Sequence, residues 1–563
     1  MNELLRRLFR SKPLAVEVII ASFFVNILFL ASPIFVIQIL SRYIGYGFDG
    51  TLYTLTAGMM IALILGLAFT MIRTKMCSVI SAEPDRQLQT VVLDALSHLK
   101  TAALERIPQA KIQEVMAGPQ TIQAAYEASR IASVLDMPFF LLFILAVMML
   151  SPTLAVITLL AVGSTVLAGK MNMNASRKSD STFREEVVRH RGGVNSAIHG
   201  AETVRAFHGG GFLRSMWEEQ VERVMALKQR IVHQKSWSLA VVQGLSSLLK
   251  VAIYAVGAKQ VVMGELTVGA LIGASILSAK ALQISTSFMQ TVLLMAKADD
   301  TMHMINEFIS LPRESSGGTA MRQFSGRLEF KDVAIAFPGA TGPLFESLSY
   351  TIEPGTVVGI VGANGAGKTT LSKLVVGLLE PGRGQIFADG VDLRQLAPEW
   401  WRRQVMYLPQ EPTFLNGTYK ENIVMLNPDI EDAALNEIVR MADLRRFLDS
   451  TSTGMDTPLN DGGRSLPLGI RKRLALARAL VGQGRLAVFD EPTEGLDVEG
   501  CEAVFQIMNV LAKRGVTLIL VSRDPNVVKG FGAVIDLNVK PVPKIGLVQK
   551  KTTGGASGSP LKS

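Results

Sequence analysis

Cysteine and histidine are scarce in this sequence. The chain of 563 residues has only two cysteines, Cys77 and Cys501, which lie far apart. A disulfide framework is therefore excluded, and packing is the expected role of both thiols. There are six histidines, and the last of them is His303. Any chemistry in the part of the chain after His303 therefore takes place without an imidazole.

Basic patches interleaved with aromatic residues are also missing. The net charge of +9 would suit nucleic-acid binding, but Lys and Arg are scattered, so we expect no nucleic-acid partner. Hydrophobic residues make up 48% of the chain, and the mean hydropathy is +0.31. Such a chain is too apolar for an ordinary soluble enzyme and is expected to cross a membrane.

Six long apolar segments account for this hydropathy. Each has about the 20 residues that a bilayer crossing requires, and six are too many to be buried core helices. The predicted spans cover residues 14–40, 52–72, 132–150, 153–168, 237–263 and 268–295. Lys and Arg are concentrated in the N-terminus and in segments 73–130 and 170–235. The positive-inside rule therefore places both termini and both segments in the cytoplasm, where their turns would contact whatever lies below the membrane.

Two lysines, Lys250 and Lys280, lie well inside predicted spans. A charge at the centre of a span costs about 2.5–3.5 kcal/mol on insertion scales, so it should face protein or water. One hypothesis is that both line a polar pathway for an anionic or acidic cargo. The alternative is that the two side chains extend to the membrane surface, or that the predicted span boundaries are wrong and the lysines lie at span ends. A third lysine, Lys259, lies near a span end, where the second interpretation is favoured.

The chain divides into four parts by composition. A transmembrane domain is predicted over residues 1–300 and a polar linker over 301–327. A compact α/β domain follows over 328–540, and a basic tail over 541–563 is expected to be disordered. The predicted fold class is thus an all-α six-span domain followed by an α/β domain.

A glycine-rich motif opens the α/β domain, between a predicted buried strand (356–361) and a predicted helix (370–379). It fits G-x-x-x-x-G-K-[ST], a loop whose backbone amides surround a nucleotide's phosphates. In this pattern Lys368 contacts the β- and γ-phosphates and the Thr369 hydroxyl holds Mg²⁺. The predicted nucleotide-binding residues here are Gly362, Ala363, Asn364, Gly365, Ala366, Gly367, Lys368, Thr369 and Thr370.

A second motif is a hydrophobic strand that ends in two acids, Asp490 and Glu491. Asp490 is predicted to hold the Mg²⁺ shell, and Glu491 is predicted to polarise the water that attacks the γ-phosphate. An edge strand followed by a surface turn is the alternative. Pro492 and Thr493 directly after the acids make the first interpretation much more specific.

With these motifs the α/β domain resembles an ATP-binding cassette, and the whole chain resembles an ABC exporter half-transporter. The resemblance implies that Phe337 stacks on adenine and that Gln410 senses the γ-phosphate and Mg²⁺. Asp497 stands at the aspartate of the family's D-loop. ATP and Mg²⁺ are the implied cofactors, and a homodimer or a heterodimer with another half-transporter is the implied assembly.

The membrane half resembles type I protein secretion ATPases, through residues 28–39, 136–139 and 264–277. This resemblance implies a multi-pass protein of the bacterial inner membrane that exports a protein substrate. It also implies a periplasmic membrane-fusion adaptor and an outer-membrane channel as partners, by analogy.

Two positions depart from the family pattern. The signature Leu-Ser-Gly-Gly-Gln is replaced by Leu466, Pro467, Leu468, Gly469 and Ile470, and Pro467 has neither a hydroxyl nor a backbone N–H. The switch histidine is replaced by Arg523, which offers a fixed cation but no proton shuttle near neutral pH. Nucleotide binding is therefore expected to persist and hydrolysis to be slow. Two alternatives to a protein exporter stay open: an exporter of lipid or small molecules, and a nucleotide-binding regulatory or scaffold subunit.

Overall fold

The computed structural model describes the backbone of residues 2–315, 317–337 and 342–547. Within these ranges it describes all side chains except those of residues 2, 174–181, 199 and 525. The chain forms two compact units. The first runs to Pro312 apart from a short segment, Lys100–Leu104, and the second comprises that segment and the chain from Arg313 onward.

The first unit is entirely helical in its described residues. Its α-helices are α1 (Asn2–Phe9), α2 (Lys12–Phe29), α3 (Ala31–Gln38), α4 (Ile44–Tyr46), α5 (Asp49–His98), α7 (Gln109–Ala125), α8 (Ala128–Asp136), α9 (Phe140–Leu150), α10 (Pro152–His199), α11 (Ala201–Ala206), α12 (Gly210–Val262) and α13 (Val268–Ile309), with α6 (Thr101–Leu104) belonging to the second unit. A π-helical turn links α3 to α4, and a 3-10 turn links α8 to α9.

Six helical segments of this unit are long and apolar enough to cross a membrane, in agreement with the six predicted spans. They are Lys12–Tyr46, Asp49–His98, Ala128–Leu150, Pro152–Met173, Gly210–Val262 and Val268–Ile309. Most carry many exposed apolar side chains, whereas the helix Val268–Ile309 is mostly buried among the others. The large exposed apolar area is what a lipid-facing surface requires, since lipid tails replace water around it.

Polar side chains also join the helices of the first unit. The hydroxyls of Thr158 in α10 and Ser278 in α13 lie 2.7 Å apart in a buried contact. Arg7 of α1 donates to Asp85 of α5 at 2.8 Å, and both side chains are buried. The Thr158–Ser278 contact lies within the predicted spans, where lipid cannot satisfy polar groups, and both contacts fix the register of helix pairs.

The second unit is built on three sheets. Its strands are β1 (Leu328–Ile335), β2 (Phe345–Ile352), β3 (Val357–Val361), β4 (Arg383–Ala388), β5 (Val391–Asp392), β6 (Val405–Leu408), β7 (Gly417–Thr418), β8 (Pro458–Leu459), β9 (Leu486–Asp490), β10 (Thr517–Val521), β11 (Ala533–Asp536) and β12 (Lys544–Leu547). Its helices are α14 (Lys368–Val376), α15 (Pro398–Gln404), α16 (Tyr419–Ile423), α17 (Asp432–Met441), α18 (Arg445–Asp449), α19 (Leu468–Val481), α20 (Val498–Lys513) and α21 (Pro525–Val528).

The central sheet has the order β12-β11-β3-β10-β9-β6, and only the edge strand β12 is antiparallel. An antiparallel sheet of order β2-β1-β4-β5 lies across a shared hydrophobic core that includes Val358, Ile360 and Leu371. Strands β9 and β10 are buried along their whole length, as expected of parallel strands covered on both faces. Since the strands are parallel, the loops after β3, β6, β9 and β10 meet at one edge of the sheet.

The structure corrects two predicted boundaries. Helix α13 continues to Ile309, so the linker predicted from residue 301 begins inside a helix, because Thr301, Ile305 and Phe308 continue its buried face at helical spacing. The tail predicted from residue 541 begins instead with a strand, β12, which pairs with β11. The rest of that tail, 548–563, lies outside the described residues.

The segment Lys100–Leu104 comes from the first predicted cytoplasmic segment but groups with the second unit. The Lys100 ammonium donates to Glu380 at 2.7 Å, and Ala102 packs against the core beneath the antiparallel sheet. These two contacts explain why the segment groups with the α/β unit.

Candidate functional site

The glycine-rich loop connects the buried strand β3 to helix α14, which begins at Lys368. Gly365 and Gly367 have φ values of +77° and +107°, which side-chain-bearing residues rarely adopt. A Cβ at Gly367 would also lie 2.7 Å from a methyl group of Leu344. The Lys368 ammonium donates to the carbonyl oxygens of Gly362 at 3.0 Å and Ala363 at 3.2 Å. The Lys368 side chain is thus held by backbone carbonyl oxygens of its own loop.

Two side chains from later strands hold the outer side of this loop. The backbone N–H of Ala363 donates to the Asn538 side-chain oxygen at 2.7 Å. Arg523, exposed directly after β10, donates to the Asn364 side-chain oxygen and, at 3.4 Å, to the Gly362 carbonyl. The guanidinium that replaces the family's histidine therefore rests on the loop itself.

Asp490 ends the buried strand β9 and is fully buried. Neither of its carboxylate oxygens has a hydrogen-bond partner among the described residues. Burial raises the pKa of Asp490, and the neighbouring Thr369 hydroxyl and Lys368 ammonium offset part of that rise. A buried carboxylate without a partner is unfavourable unless a cation completes it, so these two oxygens fit a metal-ion ligand beside Thr369.

Glu491 follows in the left-handed region, at φ +47°, and its backbone N–H donates to the Val521 carbonyl at 2.8 Å. This turn directs the chain away from the strand and toward the loop. Burial raises the pKa of Glu491, and Lys368 offsets part of the rise. On the other side of the turn, the buried Lys472 ammonium donates to the Glu491 carbonyl at 2.7 Å.

A cleft of about 340 Å³ joins these parts. Its predicted lining residues come from four separate stretches of sequence and are Phe337, Asn364, Gly365, Gly367, Lys368, Thr369, Thr370, Gln410 and Glu491, together with Leu344. Of the other predicted residues, Asp490 neighbours Thr369 and Lys368, and Arg523 bonds Asn364. Gly362 and Ala363 accept from Lys368, and Ala366 is buried. The Phe337 side chain is 43% exposed.

Two predicted residues, Gln410 in the cleft and Asp497 outside its lining, make hydrogen bonds to their neighbours. The Gln410 side chain donates to Glu494 at 3.2 Å. Asp497 accepts from the Gly500 N–H at 2.8 Å as the N-cap of α20, and it also accepts from Arg473. Bonds from Gly500 and Arg473 hold the pKa of Asp497 below its usual value.

The altered signature segment begins helix α19. Pro467 is the N-cap residue of α19 and makes no side-chain capping bond. The Leu468 side chain packs on Gly495, where a Cβ would lie 2.7 Å from its methyl group, and a Cβ at Gly469 would lie 3.1 Å from the Gly495 carbonyl. The first N–H groups of α19 therefore lack the side-chain oxygen acceptor that a serine at the N-cap would supply.

Sequence reasoning missed two residues of this site, Lys472 and Asn538. Lys472 lies three, four and seven residues before the buried Ala475, Leu476 and Ala479, so helical spacing alone places its charge on the buried face of α19. Burial lowers the pKa of Lys472, and Glu494 offsets part of that effect. Asn538 carries no such signal, because its contact depends on the pairing of β11 with β3.

Comparison with known proteins identifies the family to which this architecture belongs. Residues 345–494 match the ABC transporter family model, and residues 16–285 match the model of the ABC transporter transmembrane region. The chain belongs to the ABC transporter family. Its first unit is the transmembrane region of that family, and its second is the ATP-binding domain.

Curated relatives of this ABC transporter include toxin translocation proteins. It is 24% identical over 534 residues to the exotoxin translocation ATP-binding protein PaxB of Pasteurella aerogenes, covering 92% of this chain and 73% of the relative. It is 25% identical over 525 residues to the alpha-hemolysin translocation ATP-binding protein HlyB of Escherichia coli O157:H7, covering 92% and 74%. Antigen peptide transporter 2 of Rattus norvegicus is 30% identical over 361 residues, covering 63% and 51%.

A solved structure shows the same fold. A bacterial Atm1-family ABC exporter with ATP bound superimposes with a TM-score of 0.82, over 94% of both chains, at 18% sequence identity. The chain therefore has the fold of an ABC exporter, with a helical transmembrane unit followed in sequence by an ATP-binding unit.

Proposed function

We propose that this ABC transporter is the ATP-driven permease of a type I secretion system and exports a protein across the bacterial inner membrane. The observation that carries the proposal is the cleft, where the glycine-rich loop, Gln410 and Glu491 converge in a chain with six membrane spans. The polypeptide cargo is supported by the two toxin translocation relatives, each similar over 92% of this chain.

ATP would be held by the loop and by Phe337. The Lys368 ammonium, which bonds Gly362 and Ala363, would exchange these carbonyls for phosphate oxygens, a stronger charge-assisted contact. The first amides of α14 point to the same place. The exposed ring face of Phe337 would stack on the adenine.

Mg²⁺ would be held by Thr369, Gln410 and Asp490. The two carboxylate oxygens of Asp490 fit this role, since neither has a hydrogen-bond partner among the described residues and both can therefore coordinate a cation. When bound, the ion would neutralise negative charge on the phosphate oxygens. Loss of the Asp490 charge should therefore weaken binding of Mg²⁺ with ATP and leave the fold intact.

Glu491 would act on the attacking water as a general base. Its raised pKa brings it nearer to neutral pH, which favours proton acceptance. Lys472 fixes the Glu491 backbone from below. Arg523 would stabilise negative charge on the γ-phosphate as a fixed cation once it leaves Asn364, but it cannot relay a proton.

Slow turnover follows from the two altered motifs. In a dimer each ATP would lie between the loop of one subunit and the signature segment of the other. A homodimer would lack both the signature hydroxyl and the histidine at both sites. With an intact partner, each site would lack one of them. Binding should therefore be ordinary and hydrolysis slow.

The same family pattern supports the placement and the partners that we propose. Both termini and the ATP-binding unit would lie in the cytoplasm. A homodimer or heterodimer would dock a periplasmic membrane-fusion adaptor, and through it an outer-membrane channel. A regulatory or scaffold subunit with little ATPase activity is the second candidate, and the uncapped Pro467 and the Arg523–Asn364 contact are the observations that favour it.

The cargo is tested in the bacterium that carries the chain, by replacing it with Lys368→Ala and comparing secreted proteins and membrane lipids with the parent strain. Lys420→Ala is the matched control, because Lys420 is an exposed lysine of the same unit. We expect a protein to disappear from the medium with Lys368→Ala and to remain with Lys420→Ala. Unchanged secreted proteins with altered membrane lipids would instead identify a lipid exporter.

A further inference from the structure

Four polar side chains from four helices meet inside the transmembrane unit. Arg73 of α5 donates to a carboxylate oxygen of Asp136 in α8 at 2.7 Å. Asn26 of α2 donates to the same oxygen, also at 2.7 Å. The Lys280 ammonium of α13 lies 4.6 Å from the centroid of the Phe29 ring, three residues along α2 from Asn26, and Asp136 and Arg73 are its charged neighbours. The cluster thus holds two cations and one carboxylate, an excess of one positive charge.

Lys280 and Asp136 lie within the apolar part of the spans, and Arg73 is the first residue after the predicted span 52–72. Lys280 is about 18 Å along α13 from its first residue, Val268, at 1.5 Å per residue. Asp136 is about 21 Å from Leu150, the end of its own span, by the same measure. Since the hydrocarbon core is about 30 Å thick, both groups lie inside it. Ionisable side chains at such depth are costly and usually mark a site of function.

The Arg73–Asp136 pair by itself is a neutral contact between helices. Its members are largely buried, with 9% and 20% of their side chains exposed. It still leaves bonding capacity unused, because the Arg73 Nε is buried without a hydrogen-bond partner among the described residues. An arginine side chain that is nine-tenths buried and incompletely bonded would gain from a further hydrogen-bond acceptor.

Lys280 supplies the excess charge. No carboxylate of the described residues lies within 4 Å of its ammonium, which instead sits over the Phe29 ring, 4.6 Å from the centroid. The side chain is half-buried, so a ligand can reach it. Lys250, which looks equivalent in sequence, is exposed on α12 and has no part in the cluster.

We propose that Lys280 and the Arg73–Asp136 pair form a cargo-binding site that takes carboxylate side chains of an acidic peptide segment. The excess positive charge calls for an anion, and the free donors of Lys280 and Arg73 match carboxylate oxygens. Phosphates of the surrounding lipids lie outside the hydrocarbon core, which favours a carried carboxylate over a lipid headgroup. The choice of a peptide rests on the proposed function.

The test measures binding of a short, fluorescently labelled peptide of alternating Gly and Asp to the full chain in nanodiscs of neutral phosphatidylcholine. A peptide with Asn in place of Asp is the ligand control. We expect the acidic peptide to bind and its Kd to rise about tenfold in Lys280→Met, because a charge-assisted contact is lost. Lys280→Arg should retain binding, and Lys250→Met should behave like the parent chain. ATP binding by each variant reports that it is folded.

Equal affinity of Lys280→Met and the parent, equal losses in Lys280→Met and Lys250→Met, or no binding by the parent would overturn the proposal. Nanodiscs with anionic phosphatidylglycerol separate the two sources of anion. Competition by this lipid in the parent but not in Lys280→Met would assign the site to lipid and contradict the peptide. The assay needs neither hydrolysis nor secretion, so Lys280-dependent binding with unchanged secretion in Lys368→Ala would reject only the proposed function.

Discussion

At the scale of single residues, Asp490 has a buried carboxylate with two unpartnered oxygens. Its pKa is raised by burial, so the folded chain binds the proton more tightly than the unfolded chain does. The stability that this group contributes is therefore present below its ordinary pKa and is lost as pH rises through the raised value. The charged form of Asp490 destabilises the nucleotide-free protein, because the buried carboxylate has no hydrogen-bond partner among the described residues.

We predict that Asp490→Asn stabilises the nucleotide-free chain by about 1–3 kcal/mol, because a neutral isostere removes the unpaired charge. The midpoint of thermal unfolding, followed at neutral pH, should rise, and the difference from the parent should shrink as the pH is lowered. In the parent chain we expect Mg²⁺ and ATP to raise the unfolding midpoint further, and in Asp490→Asn we expect this additional rise to be absent. Asp432→Asn, at an exposed site, is the control and should change neither. A destabilised Asp490→Asn chain would show that the carboxylate has a partner.

Glu491 gives a pH prediction of its own. Because burial raises its pKa, the carboxylate should be lost at a higher pH than the value of about 4.3 for an ordinary glutamate. We expect kcat/KM for ATP to fall on acidification with a midpoint above that value. An acid limb at or below the ordinary value would contradict Glu491 as the base.

The role of a residue can be predicted from the sequence when its neighbours in the chain determine that role. It cannot be predicted when the role depends on contacts with distant residues. The glycine-rich loop lies between a strand and a helix as predicted, since its spacing encodes its local geometry. Lys250 and Lys280 could not be separated, because helix rotation decides which lysine faces Asp136. Asn26 and Arg73 were not predicted at all as partners, since their contact joins positions far apart in the chain.

At the scale of secondary-structure elements, helix α19 begins without a side-chain cap because its N-cap residue is Pro467. A serine there would accept a hydrogen bond from a free N–H of the first turn. Its hydroxyl would also restore the family's contact to the γ-phosphate held by the opposite subunit.

Pro467→Ser should therefore stabilise the chain by about 1 kcal/mol and raise ATP turnover about tenfold, as expected for one bond to a charged group. Thermal unfolding and phosphate release measure the two effects. Pro467→Ala is the control, since it removes the proline without adding a hydroxyl. If Ala and Ser raised turnover equally, the proline ring and not the missing hydroxyl would be the cause.

Element boundaries were predicted less well than element types. The six spans were found from hydropathy alone, and the structure confirms six candidate helices. The end of α13 was missed because its last turns are polar in composition, while Thr301, Ile305 and Phe308 still keep a buried stripe. Strand β12 was not predicted, because it forms by pairing with β11 at the edge of the sheet and that pairing cannot be predicted from its own sequence.

At the scale of the whole molecule, an ATP-binding unit with an intact phosphate-binding loop is joined to six spans that hold a charged cluster. We expect the altered signature and Arg523 to slow the steps that follow nucleotide binding. Export driven by slow hydrolysis is the account that accommodates both sets of features.

ATP turnover by the purified chain in nanodiscs tests this account most directly, with ATP affinity measured in parallel and Glu491→Gln as the control. We predict tight binding in both proteins, and slow turnover in the parent that Glu491→Gln abolishes. Tight binding with no turnover above the Glu491→Gln control would contradict an ATP-driven exporter and would favour a nucleotide-binding scaffold subunit.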